Sequence, residues 1–177
     1  MPGPPRPIET DRLILREIHS TDVDAMYELD SDSEVHRYID NGPVTSKEQI
    51  REVIAFIRGQ YRDKDIGRWA VVRKSENVFV GWAGLKIEDE AIHGHGAHID
   101  LGFRIIRRYW GQGYAAEAAR AWVAYAFNTM RAYTVCALVE TANTASIYVL
   151  EKVGMKQADA FILDGKPHLW YELKTRQ

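Results

Sequence analysis

Cysteine is nearly missing from this chain: its 177 residues contain one, Cys136. That excludes an internal disulfide framework and suits a reducing compartment. Cys136 falls in an apolar strand pattern, so it reads as a small buried side chain and not as a nucleophile. Long apolar runs are missing too. None approaches the ~20 residues that span a bilayer, and Met1-Pro2-Gly3-Pro4-Pro5-Arg6-Pro7 has no apolar signal segment. The expectation is a soluble cytoplasmic protein with no membrane partner. Neither sign of charge dominates, since 23 Lys plus Arg face 25 Asp plus Glu for a net charge of −2. That balance provides no basic field for nucleic acid. Repeats and coiled-coil heptads are absent as well.

What is present suffices for one domain. Hydrophobic residues make up 46% of the chain, and a chain of this length buries roughly 70% of its unfolded surface. The proline-rich residues 1–8 read as a flexible tail and 9–177 as a single folded unit, with structure starting near Thr10. A first strand is expected at Arg12–Ile18, with Ser20 or Thr21 capping a short helix that contains Val23, Met26, Tyr27 and Leu29. Asp40-Asn41-Gly42-Pro43 marks a loop. Thr45 and Glu48 form a capping-box signature for a longer helix with Ile50, Val53, Ile54 and Ile57 as its buried stripe. Two strands, Arg68–Arg73 and Val78–Ile87, are joined at hairpin distance, and His98–Ile105 completes the meander. After an alanine-rich helix come a strand from Tyr133 to Glu140 and a helix from about Asn143 to Lys152 that ends at Gly154. A hairpin follows around Asp164-Gly165.

The most telling stretch is Arg108-Tyr109-Trp110-Gly111-Gln112-Gly113-Tyr114-Ala115-Ala116-Glu117, which joins the His98–Ile105 strand to the alanine-rich helix. A helix start carries unpaired N–H groups and partial positive charge, and glycines let an anion approach the main chain. A pyrophosphate is the expected ligand, with Arg107 and Arg108 as neighbouring cations. The same residues satisfy G-x-G-x-x-A, the dinucleotide fingerprint, but an antiparallel-looking meander precedes them where that fingerprint needs βαβ units. A Walker loop is excluded because no Gly-Lys-Ser/Thr follows the glycines. His93-Gly94-His95-Gly96-Ala97-His98 reads as a hairpin loop and not a metal site, as no carboxylate or cysteine pattern accompanies it. No metal is expected.

Three separated motifs together resemble the GNAT superfamily of acetyl-CoA-dependent N-acetyltransferases, and within it the RimJ/RimL-like branch that acetylates ribosomal-protein N-termini. The superfamily's R/Q-x-x-G-x-G/A appears as Arg108 through Gly113. The branch's opening Thr-x-Arg-Leu-x-Leu-Arg resembles Thr10 through Arg16. Its Asn-x-x-Ser and Leu-Glu-Lys-x-Gly resemble Asn143 through Ser146 and Leu150 through Gly154. The resemblance implies a mixed α/β (α+β) fold with a mostly antiparallel, twisted sheet that splays into a cofactor slot.

It also implies roles. Main-chain groups of Phe103, Arg104 and Ile105 would hold pantetheine, while the N–H groups of Gly111, Gln112, Gly113, Tyr114 and Ala115 hold the pyrophosphate beside Arg108. Asn143 would reach the cofactor from the next helix. Acetyl transfer needs a neutral amine, a polarised thioester carbonyl and a proton for the thiolate. A strand N–H near Phe103 or Arg104 would serve the carbonyl. Asp100 would accept the amine proton, standing where the branch often has a glutamate. Ser146 would serve the thiolate, since Leu150 occupies the position of a tyrosine common in the family, and Tyr148 is a weaker substitute on a different helix face. A modest base suits an α-amine of pKa ~7.8 better than a lysine of ~10.4, which costs about 4.6 kcal/mol to deprotonate.

The amine acceptor is therefore a peptide N-terminus or a small molecule, with Trp69, Trp82, His168 and the histidine loop as candidates for its side of the site. A CoA or acyl-CoA sensor without turnover is the alternative, and a homodimer is left open.

Overall fold

The computed structural model describes residues 6–39 and 41–175, so Met1–Pro5 of the expected tail and Asp40 of the expected loop lie outside the described residues. Among the described residues, eight strands form one sheet in the order β1-β2-β3-β4-β5-β6-β8-β7. They are β1 (Ile8–Glu9), β2 (Leu13–Glu17), β3 (Arg68–Arg73), β4 (Val78–Glu88), β5 (His98–Ile105), β6 (Thr134–Glu140), β7 (Lys156–Leu163) and β8 (Lys166–Lys174). Four α-helices among the described residues flank it: α1 (Val23–Ser31), α2 (Lys47–Lys64), α3 (Tyr114–Asn128) and α4 (Thr144–Val153). The expected mixed α/β architecture is therefore the one observed.

Pairing starts earlier than the sequence suggests, because Ile8 and Glu9 add to β2 opposite Leu15 and Ile14. The cap of α2 is also displaced by one residue. Ser46 accepts the Gln49 N–H, and the Gln49 side chain accepts N–H groups from Thr45 and Ser46, so the expected Thr45–Glu48 box is replaced by Ser46–Gln49. Ile50, Ile54 and Ile57 are buried as expected, joined by Tyr61. Tyr61 fixes α2 to the sheet: its hydroxyl accepts the Ile18 N–H and donates to the Arg68 carbonyl.

The two faces of the sheet are distinguished by register. Trp69, Ala83 and Phe103 share one cross-strand row, and Ala70, Trp82 and Arg104 share the adjacent one, so these rows point to opposite faces. The first face is covered by α3, where Trp69 meets Trp122 edge-on with ring centroids 5.2 Å apart. The second carries Arg68, Trp82, Arg104 and Asp100.

Every neighbouring pair of strands is antiparallel except β5 and β6, and these register at a single point, Asp100 with Cys136. By contrast β5 pairs with β4 along its whole length and β6 pairs likewise with β8. The sheet therefore splays between β5 and β6.

Candidate active site

Both β5 and β6 run toward the open end of the splay, and each leads into a helix there, so α3 and α4 begin at the mouth of one slot. Open sheets bind ligands at such strand ends. The two helix starts differ in one respect. Asn143 caps α4 by accepting the Ser146 N–H at 3.1 Å, whereas Gly113 begins α3 with φ +82° and no side-chain cap. The first helical bond of α3 runs from the Glu117 N–H to the Gly113 carbonyl, leaving the Tyr114, Ala115 and Ala116 N–H groups ahead of it without a helical acceptor. Gly111 also has positive φ, +73°, and a Cβ there would meet nothing within 4 Å. Main-chain donors are thus offered at the mouth of the slot, with open space in front of Gly111.

Glu117 braces this loop from behind. It accepts hydrogen bonds from the Thr10 hydroxyl at 2.6 Å, the Arg12 N–H at 2.9 Å and Arg12 Nε at 2.7 Å. Arg12 then donates to the Gln112 carbonyl at 2.9 Å, inside the glycine loop. Burial raises the pKa of Glu117, but these hydrogen bonds outweigh it and hold the carboxyl below its ordinary value. The sequence offered Thr10 and Arg12 as a motif without showing what they touch. Arg108 pairs with Glu28 of α1 at 3.0 Å, so it faces α1.

Within the slot, ladder geometry decides which main-chain groups are free. The Ile106 N–H bonds the Val80 carbonyl at 2.9 Å. Alternation along β5 therefore points the Arg104 N–H at β4, and those of Phe103 and Ile105 at the slot. The Ile105 carbonyl already accepts the Trp110 indole N–H at 2.7 Å. Of the three residues expected to present main-chain groups, Phe103 is the one with both N–H and carbonyl on the slot side and neither in the ladder.

Asp100 stands at the apex, where β5 and β6 part. Its half-buried carboxyl accepts the Leu138 N–H, the next β6 donor after the single registered pair. Burial first and Glu88 second push its pKa up to about 7, against the pull of Lys86 and Arg68. Ser146 lies at the other end. Cys136 precedes Glu140 by four residues, roughly 13 Å of strand, and Ser146 follows in the first turn of α4. Leu150, one turn deeper in α4, is buried. Cys136 is also buried; burial, then Glu172 and Asp100, push its thiol up to about 12.

On the face shared with Asp100, the buried Trp82 carries two guanidinium groups, Arg68 at 4.7 Å and Arg104 at 5.2 Å from the ring centroid. Arg104 donates to the buried Asp30, which His36 approaches at 3.4 Å. Burial and the Arg104 charge hold His36 below its ordinary pKa. This Asp30–His36–Arg104 group escaped the sequence reading because its members are far apart in the chain. Trp69, expected beside the acceptor, is instead buried under α3, on the opposite face from Trp82.

The histidine loop packs on aromatic rings. His95 stacks on Trp170 at 4.1 Å and bonds Asp159 at 3.0 Å, and His93 stacks on Phe161 at 4.3 Å. Among the described residues no group of three or more His, Cys, Asp or Glu could hold a metal ion. Nor is any described helix long and apolar enough to cross a membrane.

Known proteins share this arrangement. The family model of the acetyltransferase (GNAT) domain matches residues 12–156. YkkB of Bacillus subtilis (strain 168) is 31% identical over 170 residues, covering 94% of either chain. The uncharacterized N-acetyltransferase YoaA of the same organism is 31% identical over 150 residues, covering 85% of this chain and 82% of its own. A crystal structure of a GNAT-family acetyltransferase from Bacillus anthracis superposes with a TM-score of 0.82 at 27% identity, covering 96% of this chain and 98% of that one. An open slot ending in uncapped N–H groups, on a chain matched this widely, places the protein in the GNAT acetyltransferase family as an acyltransferase enzyme.

Proposed function

We propose that this enzyme transfers an acetyl group from acetyl-CoA to a primary amine, directly and within a ternary complex. The observation that carries this reading is the splay: one registered pair between β5 and β6, and at its mouth a helix start whose N–H groups no side chain caps. The free donors suit a diphosphate, and no side chain covers Gly111. Acetyl-CoA supplies the activated acyl thioester when bound.

The roles of this chain's own residues follow from their places. Gly111, Gln112, Gly113, Tyr114 and Ala115 would hold the diphosphate through their N–H groups, and Asn143 has an amide nitrogen to offer from the α4 start. Phe103 would donate its N–H to the thioester oxygen, with the free edge of β5 aligning the pantetheine. Asp100, with its pKa near that of neutral solution, would take the proton from the amine, directly or through a water. Ser146 would donate to the departing sulfur. Cys136 has no part, which keeps the transfer free of an acyl-enzyme.

The acceptor in this proposal is an α-amine of a protein N-terminus or of a small molecule. The Thr10–Arg16 and Asn143–Gly154 motifs support the RimJ/RimL-like branch, and a cytoplasmic setting fits the single buried thiol. Incubating the protein with acetyl-CoA and a panel of amines while following thiol release tests the reading. Release that depends on amine is expected; CoA binding by calorimetry without any release would overturn transfer, and no CoA binding would overturn the slot assignment.

A further inference from the structure

We propose that the acceptor amine carries a carboxylate and that Arg68 binds it; this rests on the transferase reading above and deepens it. Of the two guanidinium groups on Trp82, Arg104 is neutralised by Asp30. Arg68 makes no hydrogen bond or ion pair through its side chain among the described residues, although it is half-buried and stacked at 4.7 Å on the ring. Its backbone is anchored, since its carbonyl accepts the Tyr61 hydroxyl. A cation drawn partly out of water without a partner is unfavourable, and an anion in the same cleft removes the deficit. Burial and the neighbouring Arg104 charge lower the pKa of Arg68, against the pull of Asp30, Asp100 and Glu88.

The position of Arg68 fits this role. It pairs with Gly84, which pairs with Gly102, while Lys86 two residues along β4 pairs with Asp100. Arg68 and Asp100 therefore lie on one face, two strands and two residues apart, or roughly 12 Å between Cα atoms. Between them the buried Trp82 ring packs against Gly102, where a Cβ would come within 3.3 Å of it, and the Arg68 guanidinium lies over that ring. An arginine held across the ring and a proton acceptor beyond its far side match the two ends of a small amino acid. The chemistry also selects among anions. A planar carboxylate fits the guanidinium fork in bidentate fashion.

The test compares acceptors in matched pairs, with acetyl-CoA and thiol release as the readout. Phenylalanine and methionine are each measured beside their carboxamides, and glutamic acid 1-amide beside glutamine 1-amide. The expected result is a kcat/KM, expressed per neutral amine, about tenfold or more higher for the carboxylate member of a pair, the worth of one charge-assisted contact. Preference within the first two pairs places the carboxylate on the α-carbon, and within the third on the side chain. Arg68→Gln should bring the acid-to-amide ratio to about 1, and Arg68→Lys should keep part of it. The ratio is independent of how much protein is folded, and CoA calorimetry reports the fold separately. Equal rates within all pairs, or a preference that survives in Arg68→Gln, overturns the carboxylate site while leaving transfer intact. If no amine releases thiol, the transferase reading falls and this site with it.

Discussion

Arg12 and Glu117, 105 positions apart in sequence, are locked together twice: the Arg12 N–H meets Oε1 at 2.9 Å and its Nε meets Oε2 at 2.7 Å. The pair ties the turn between β1 and β2 to the first turn of α3, and from there Arg12 reaches the Gln112 carbonyl. Glu117→Ala removes the acceptor of both Arg12–Glu117 bonds and frees the guanidinium that reaches Gln112. CoA affinity should fall by about tenfold, in line with the loss of one or two charge-assisted hydrogen bonds. Calorimetry measures it, and an unchanged dissociation constant would show that the glycine loop holds its shape unaided.

Gly113 has φ +82°, and a Cβ on it would lie 3.3 Å from an Arg12 guanidinium nitrogen. Gly113→Val therefore combines about 1–2 kcal/mol of left-handed strain with displacement of the brace and a methyl-lined helix start. The apparent acetyl-CoA constant should rise well over tenfold while the maximal rate falls less. A loss confined to the maximal rate would contradict a binding role.

Asp100 titrates near pH 7 because burial and Glu88 disfavour its charge. In the proposed role of proton acceptor it would be inactive when protonated, so kcat/KM should drop as pH falls below about 7, and Asp100→Asn should abolish that step. Stability carries the opposite sign. Between the unfolded value of 3.8 and about 7 the folded chain binds a proton that the unfolded chain has lost, so folding weakens as pH rises through this window. Melting temperatures of the native protein should decline from pH 5 to 8 relative to Asp100→Asn; parallel curves would mean that the carboxyl is not buried in solution.

Cys136 is buried and its thiol is held far from ionisation. Cys136→Ala should keep turnover within about twofold and cost about 1 kcal/mol of stability, the value of a small core truncation. Acetylated Cys136 recovered by mass spectrometry would instead establish a covalent route.

Ser146 lies a strand's length from Asp100, and no described residue bonds its hydroxyl. Ser146→Ala should reduce kcat about tenfold with acetyl-CoA affinity unchanged, if the hydroxyl serves the sulfur. A change in affinity alone would make it a binding residue.

Legibility followed the range of the physics. The glycine loop and the period-two strands are local, and they stood where the sequence placed them. So did Asp164-Gly165 as the turn between β7 and β8. The start of α2 was ambiguous by one residue because Thr45 with Glu48 and Ser46 with Gln49 both satisfy the pattern. Gln49 prevails by accepting two main-chain N–H groups at once. Which face a strand residue takes depends on register, which no local pattern contains, and so Trp69 and Trp82 could not be told apart. The Arg12–Glu117 brace and the Arg104–Asp30 pair join distant segments, and only the folded chain brings them together.

The place of β8 between β6 and β7 sets an order of assembly. Until Lys166–Lys174 has been synthesised, β6 has only its single pairing with β5 and lies almost bare along both edges. A nascent chain can thus close β1 to β5 early, yet the second wall of the slot must wait for β8, which follows β6 only after α4 and β7. The slot closes later than the strand that forms its first wall.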